Sequence, residues 1–527
     1  MWTTGWRDEV WDRLATPWDL IVIGGGITGA GILREATRAG LRTLLVEAGD
    51  FASGTSSRSS KLVHGGLRYL RNAQIGTTLA SVHERERLLR EGRGLVTPLR
   101  FLMPSFRGDR IPGWLFGLGL GVYDLLALRW RHRHYDPADL LERCPPLRSQ
   151  GLLGGYRYID AETDDARLVL RLLRESVAAG GTALNYARAA DVLRRQDGTA
   201  AGVVLVDMAT GRTGEVRAPA VISATGAWAD ELRTAVGARR RLRRLRGSHL
   251  LFPFERLPLT RAVSLLHPAD GRPVFVFPWE GVTVVGTTDV DHNDDLAHEP
   301  RISEPEVAYL LRAVEHAFPE SGLTRHAVRS TLAGIRAVVD TGKADPSKES
   351  REYVLWDERG LLTVSGGKLT TFRLMAHAAL RAVRHRLPSH PHLDARQRVL
   401  EPPPPEACVG HEVPAEACLR LVGRYGVEAP QLVAAAGAGE LTPVAGGVTL
   451  WAEVRWAARA EGVVHLDDLL LRRVRLGLLA ADGGLLLLDR IRAVAQPELG
   501  WDDARWEQEA ADYAERWREA YSLPSDT

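Results

Sequence analysis

Residues 19–50 read DLIVIGGGITGAGILREATRAGLRTLLVEAGD, and this stretch constrains the fold more than any other. Leu20 to Ile23 is a short apolar run of the kind that forms a buried parallel strand. Gly24-x-Gly26-x-x-Gly29 comes next, then a helical pattern to about Ala39, with Gly40 where a C-terminal cap belongs. Thr43 to Val46 makes a second strand, which Glu47 ends. Gly24 allows the tight turn, Gly26 lets the backbone approach a pyrophosphate, and Gly29 lets helix and strand pack closely. The helix N-terminus offers free N–H groups and the positive end of its dipole. Glu47 can accept hydrogen bonds from a ribose diol. Strand, glycines, helix, strand and terminal acid in one unit predict a dinucleotide site. The unit alone does not choose between NAD and FAD. The chain continues into a hydroxyl-rich loop at residues 50–57 rather than another βα unit, which suits a cofactor lying extended across the domain.

A second stretch, SSRSSKLVHGGLRYL at residues 56–70, sets Arg58, Lys61, His64, Arg68 and four serines around a Gly-Gly pair. It has no hydrophobic period, so it builds no core element. It supplies cations and a histidine beside backbone that can lie against a ring. For Arg58 and Lys61 a solvated loop is the plainer alternative.

Composition bounds the rest. The 527 residues suggest about three domains. Apolar residues at 45% and charged ones at 25% are those of an ordinary soluble globular chain. A formal net charge of +2 gives no support to a nucleic-acid partner. The arginine run at 239–246 reads as a solvated face, or as attraction for an anionic substrate or lipid. Cys144, Cys408 and Cys418 lie far apart without a CxxC. This argues against a disulfide framework and against a cysteine metal site, and for a reducing compartment; no metal is expected. The N-terminus MWTTGWRDEV lacks the apolar core of a signal peptide. Residues 111–128, IPGWLFGLGLGVYDLLAL, are nearly apolar but are interrupted by Pro112, four glycines and Asp124, so no spanning helix is expected. Trp114, Tyr123 and Trp130, with Arg129, Arg131 and Arg133, suit a membrane surface; the alternative is a buried helix hairpin under a domain interface.

The glycine unit, Glu47 and GTSSRSSKLVHGGLRYL resemble the FAD-dependent glycerol-3-phosphate dehydrogenases, within the D-amino-acid-oxidase-like flavoproteins. The resemblance continues at DDARLVL (164–170), SATGAWAD (223–230), RGSHLLFP (246–253), FPWEGVTVVGTTD (277–289) and VSGGKLTTFR (364–373), and covers roughly residues 18–380. These blocks also read physically: a strand before Ala224-Thr225-Gly226, a hairpin turning at Trp279-Glu280-Gly281, and another turning at Asp357 to Gly360 and running into Gly366-Gly367-Lys368.

The resemblance implies an α/β fold with a discontinuous Rossmann-like FAD-binding domain at 17–100, 155–246 and 335–395. An antiparallel-sheet substrate domain takes 101–154 and 247–334. Beyond the stiff linker Glu401-Pro402-Pro403-Pro404-Pro405, helical spacing predicts an all-α C-terminal domain at 400–527. No internal repeats are seen.

The resemblance further implies that Gly24, Gly26, Gly29, Glu47, Thr55, Ser56, Ser57, Lys61, Gly65, Gly226, Gly367, Leu369 and Thr370 hold a non-covalent FAD. It places His64, Arg68 and His249 in the active site, with Arg336, Arg351 and Lys368 on the substrate. Arginine forks match phosphate oxygens, and either histidine can take a hydroxyl proton near neutral pH. The family usually has Pro after the first arginine; Ala337 here predicts a looser loop. The expected reaction is oxidation of sn-glycerol 3-phosphate to dihydroxyacetone phosphate, with electrons passed to a membrane quinone. The expected location is cytoplasmic, peripheral on the inner face of the cell membrane, and a homodimer is compatible. The closest rival is an oxygen-dependent oxidase making hydrogen peroxide. More distant are an amine or amino-acid oxidase and a non-catalytic nucleotide-binding module.

Overall fold

The computed structural model describes residues 2–66, 75–109, 112–126, 132–344, 349–388, 392–404, 407–408, 410 and 412–524. Its first sheet has six strands in the order Val354–Glu358, Leu361–Ser365, Ala220–Ser223, Leu20–Ile23, Thr43–Val46 and Thr182–Leu184. All pairings are parallel except the Val354–Glu358 hairpin arm. Leu20–Ile23, Thr43–Val46 and Ala220–Ser223 are buried along their whole length, which explains their continuous apolar sequence. Helix Ile27–Arg38 packs against Asp165–Ala178 and Phe372–Val383.

The second sheet has ten strands and is almost wholly antiparallel. Its main path runs Val290–Asp291, Leu242–Pro253, Val282–Gly286, Pro273–Trp279, Ala262–Leu266, Val96–Phe106, Leu152–Thr163 and Leu62–Val63. Ser330–Val339 joins Leu242–Pro253, and Arg133–Tyr135 joins Leu152–Thr163. Two hairpins turn on left-handed pairs, Glu280-Gly281 and Arg359-Gly360, whose twist matches that of the flanking strands. A small third sheet holds Ala187–Arg194, Ala200–Asp207 and Thr213–Arg217. The expected crossing points at 155, 246 and 335 fall inside strands of the second sheet, which each stay in that sheet to their ends.

The C-terminal part is helical, led by Ala415–Tyr425, Trp451–Ala460, Leu488–Leu499 and Asp503–Ala520. The linker is pinned rather than free, because Glu401 accepts from Arg34 at 2.5 Å and Arg38 at 2.7 Å. The cysteine reading needs correction: Cys408 and Cys418 form a disulfide that ties the linker to the first of these helices. Their separation matches no motif, so the spacing rule missed it, and the inference of a reducing compartment lapses.

No helix among the described residues is long and apolar enough to cross a membrane. Residues 113–126 form one helix, Gly113–Leu126, lying on Leu152–Thr163. It is not the buried hairpin considered above. Leu120, Tyr123 and Asp124 face inward, while Trp114 (68% exposed), Leu118 (60%) and Leu125 (67%) face outward. Trp130, Arg129 and Arg131 lie outside the described residues. In the arginine run Arg239, Arg240 and Arg241 are exposed, but the rest is not a free basic patch. It enters strand Leu242–Pro253, where Arg243 pairs with Asp291 at 2.5 Å and Arg246 with Glu306 at 2.8 Å. Four strands separate it from Leu152–Thr163 and the apolar helix.

Candidate active site

Parallel pairing brings Gly24, Ala224 and Gly366 together at the carboxyl ends of three adjacent strands, where ligands of open α/β sheets bind. Gly24 has φ of 111°, and a Cβ there would stand 2.5 Å from the Ala224 carbonyl oxygen. At Gly29 a Cβ would fall 1.8 Å from the Gly24 oxygen, so no side chain fits. Gly26 caps helix Ile27–Arg38, whose first amide donates to Ser56 Oγ at 2.9 Å. Glu47 Oε2 accepts from the Gly25 amide at 2.6 Å and Oε1 from the Gly49 amide at 2.9 Å. Burial pushes its carboxyl above the usual range. Thr55 Oγ1 donates to the Ile335 carbonyl at 2.5 Å, joining this loop to the second sheet. Gly226 opens the short turn Gly226–Trp228 after its strand. Leu369 and Thr370 lie in the turn Leu369–Thr371 after Gly366 and Gly367, and Thr370 Oγ1 donates to the His64 carbonyl at 3.4 Å.

A glycine-lined cleft at a helix N-terminus, with a carboxylate at the second strand's end, fits a dinucleotide. The residues that would hold FAD are therefore gathered at one edge, with two exceptions. Ser57 is buried, and its carbonyl accepts from Lys61 Nζ at 2.8 Å. Lys61 is buried too, its ammonium 2.9 Å from Asp165 Oδ1. Neither the cofactor role expected of Lys61 nor the solvated-loop alternative matches that geometry. Arg58 is likewise buried, paired with Glu299.

The substrate side comes from the second sheet. His249 on Leu242–Pro253 faces Gly286 across one pairing and Leu332 across the other. It is buried, its Nε2 stands 2.8 Å from Ser60 Oγ, and a Cβ at Gly286 would strike its ring. Burial, with Arg336 and Lys61 nearby, lowers its pKa to about 3. His64 is only half-buried; burial lowers its pKa to about 4, with Lys368, Arg351 and Arg85 adding to the effect against Asp160. Lys368 Nζ donates to Ser81 Oγ at 3.0 Å, and burial beside Arg351 brings it down to about 7.

Arg336 and Arg351 meet at Asp289, which is 1% exposed: Arg336 Nη1 is 3.0 Å from Oδ1, and Arg351 Nη2 is 3.1 Å from Oδ2. A third guanidinium, Arg272, also stands 3.1 Å from Oδ2. Arg336 Nη2 further donates to Thr287 Oγ1 at 3.0 Å. Asp289 thus gathers three partly exposed guanidiniums on one carboxylate. Ala337 does not loosen this arrangement. It sits inside strand Ser330–Val339, opposite Arg244. Arg68 lies outside the described residues.

Sequence reasoning missed Arg272, which follows the Asp270-Gly271 turn without any motif. It also missed Asp160. That carboxylate accepts from the Gly65 amide at 3.0 Å, Arg85 at 2.6 Å and the Tyr123 hydroxyl at 3.1 Å. An acid within a strand of aromatic and aliphatic residues was the available signal.

Residues 19–373 match the family model of FAD-dependent oxidoreductases, and residues 366–506 match the C-terminal domain of alpha-glycerophosphate oxidase. The chain belongs to this family of FAD-dependent oxidoreductases. It is 37% identical to the aerobic glycerol-3-phosphate dehydrogenase of Bacillus subtilis (strain 168) over 382 residues, 71% of this chain and 68% of that protein. The crystal structure of the glycerol-3-phosphate dehydrogenase from Bacillus halodurans complexed with FAD superposes with a TM-score of 0.79 at 28% identity, covering 99% of this chain and 98% of that one. The L-alpha-glycerophosphate oxidase from Mycoplasma pneumoniae, with FAD bound, shares the fold at a TM-score of 0.57 and 18% identity, over 74% of this chain and 99% of that one.

Proposed function

We propose that this FAD-dependent enzyme oxidises sn-glycerol 3-phosphate to dihydroxyacetone phosphate. It then delivers the electrons to a quinone in a membrane that it touches through helix Gly113–Leu126. The observation that carries the substrate class is the arginine cluster on Asp289, which suits a phosphate dianion better than an amino-acid carboxylate. The names of the similar dehydrogenases support the same substrate.

In this reading Arg336 and Arg351, both partly exposed, hold the phosphate through their guanidinium groups. FAD, when bound, supplies the acceptor for the C2 hydride. The 2-hydroxyl proton passes to His64, which is uncharged at neutral pH and partly exposed. His249 is less suited, because it is enclosed and already bonded to Ser60. The outward row of Trp114, Leu118 and Leu125 supports contact with lipid.

Turnover should be measured with glycerol 3-phosphate and with glycerol, first with a dye or quinone analogue and then with oxygen alone. Fast dye- and quinone-linked turnover of glycerol 3-phosphate, with little reaction of glycerol, is expected. Full-speed hydrogen peroxide formation would instead make it an oxidase, and turnover of amino acids would overturn the substrate class.

A further inference from the structure

The C-terminal helical part contains a short turn whose arginines leave their own unit. Arg472 and Arg473 both bond Asp50: Nε of Arg472 and Nη1 of Arg473 each lie 2.5 Å from Oδ2, and Nη2 of Arg473 lies 2.7 Å from Oδ1. All three side chains are essentially inaccessible to solvent. Arg475 reaches the other end of the same loop. Its Nε is 3.0 Å from Asp164 Oδ1, its Nη1 is 3.3 Å from the Ser57 carbonyl, and its Nη2 bonds Asp165. Asp165 in turn accepts from the Ser59 amide at 2.9 Å and from Lys61.

Between those anchors runs the loop that closes over the glycine turn. The Ala52 amide donates to the Gly25 carbonyl at 3.1 Å, and Phe51 packs over Gly25. Ser56 Oγ meets the first amide of helix Ile27–Arg38 at 2.9 Å. The loop therefore carries the hydroxyl that stands at the helix N-terminus, and both its ends are bonded to arginines more than four hundred residues later in the chain. Several charge-assisted bonds on one carboxylate fix it far more tightly than a surface ion pair would. Arg167 and Glu461 already form a buried bidentate pair between the same units without touching the loop.

We propose that residues 472–475 are a clamp on the FAD loop, with Arg473 and Arg475 as positioning residues that hold Asp50 and Ser57 so that Ser56 and the glycine turn keep the shape the cofactor needs. The C-terminal unit is then part of the cofactor site without contacting the cofactor. This rests on membership of the FAD-dependent family and not on the substrate reading.

The test compares full-length apoprotein variants by FAD titration, read as protein fluorescence quenching, alongside the melting temperature of each apoprotein. Arg473→Gln and Arg475→Gln are expected to weaken FAD binding at least about tenfold. The control Arg167→Gln/Glu461→Gln breaks an equally buried link between the units and should lower the melting temperature while leaving FAD affinity within about twofold. Should a glutamine variant not accumulate, Arg473→Lys and Arg475→Lys, which keep the charge and lose the fork, carry the same comparison. If clamp and control variants lose FAD in proportion to their loss of melting temperature, the arginines are merely structural and the proposal fails. It fails equally if the clamp variants bind FAD as the unaltered protein does.

Discussion

Asp289 Oδ1 lies 3.0 Å from Arg336 Nη1, and that contact helps to orient the guanidinium whose other amino group meets Thr287. The carboxylate thus sets the spacing of Arg336 relative to Arg351 and Arg272. Replacing Arg336 by Lys keeps a charge and loses the fork. Losing part of a charge-assisted pair costs about 1.5–3 kcal/mol, so kcat/KM for glycerol 3-phosphate should fall roughly ten- to hundredfold, while glycerol stays a poor substrate. Unchanged kinetics would remove Arg336 from the phosphate site. Arg272→Met should raise KM for glycerol 3-phosphate with little change in kcat.

The pH profile separates Lys368 from His64. Lys368 titrates near 7, and its cationic form exists below that value. Its charge helps to gather a dianion, so kcat/KM should decline as pH rises through about 7. Lys368→Arg stays charged and should remove that decline. His64, lowered to about 4, is already a free base at neutral pH and should contribute an acid limb only near 4. A limb near 6 belongs to the phosphate of the substrate itself.

The two site histidines also predict how stability responds to acid. Both His64 and His249 have depressed folded values. Between those values and the ordinary ~6.5, the unfolded chain binds protons that the folded one does not. Stability should therefore be full above about 6.5 and fall as pH drops toward 4. Denaturant midpoints measured from pH 7.5 to 5 would check this, and His249→Gln should flatten the slope.

FAD should be releasable. None of the three cysteines lies in a cofactor segment, and Glu47, Ser56 and the glycine turn offer hydrogen bonds rather than a nucleophile. Acid precipitation of holoenzyme should leave yellow FAD in the supernatant; colour held in the pellet would mean a covalent link.

Membrane contact should depend on the outward face of helix Gly113–Leu126. Trp114→Ser with Leu118→Ser should abolish most sedimentation with liposomes and leave dye-linked turnover nearly intact. Phe116 packs partly against the core and is not a suitable target. Because Arg243 and Arg246 are already paired with acids, binding should depend less on anionic lipid than a free arginine run would imply. A steep loss in about 0.5 M salt, where the Debye length is about 4 Å, would contradict this.

What the sequence revealed was local. The strand–glycine–helix–strand unit ending at Glu47 and the two hairpins needed only neighbouring residues to be read, and they stand where periodicity and turn chemistry put them. What it hid was assembled from afar. Arg272 looks like an ordinary cation after a turn until Asp289 gathers it with Arg336 and Arg351, which only the resemblance had placed on the substrate. Lys61 reads as a loop cation because its partner Asp165 is about a hundred residues away. The arginine run suggested a basic surface since neither Asp291 nor Glu306 is adjacent to it. Spacing rules are equally blind to a disulfide between a proline-rich linker and a helix.

The order of strands in the first sheet has a consequence for synthesis. Leu20–Ile23, among the earliest strands to be made, has Ala220–Ser223 as its neighbour, and the next strand over is Leu361–Ser365. At ~5–20 residues per second, some tens of seconds separate the glycine turn leaving the ribosome from the last strand that flanks it. Until residue 223 is made, the apolar run at 20–23 has one side without its partner, and from then until residue 361 the run at 220–223 is left with one open side. The nascent chain therefore depends on being shielded until late in translation, and a stalled or truncated product ending before residue 361 should be an aggregating species rather than a smaller flavoprotein.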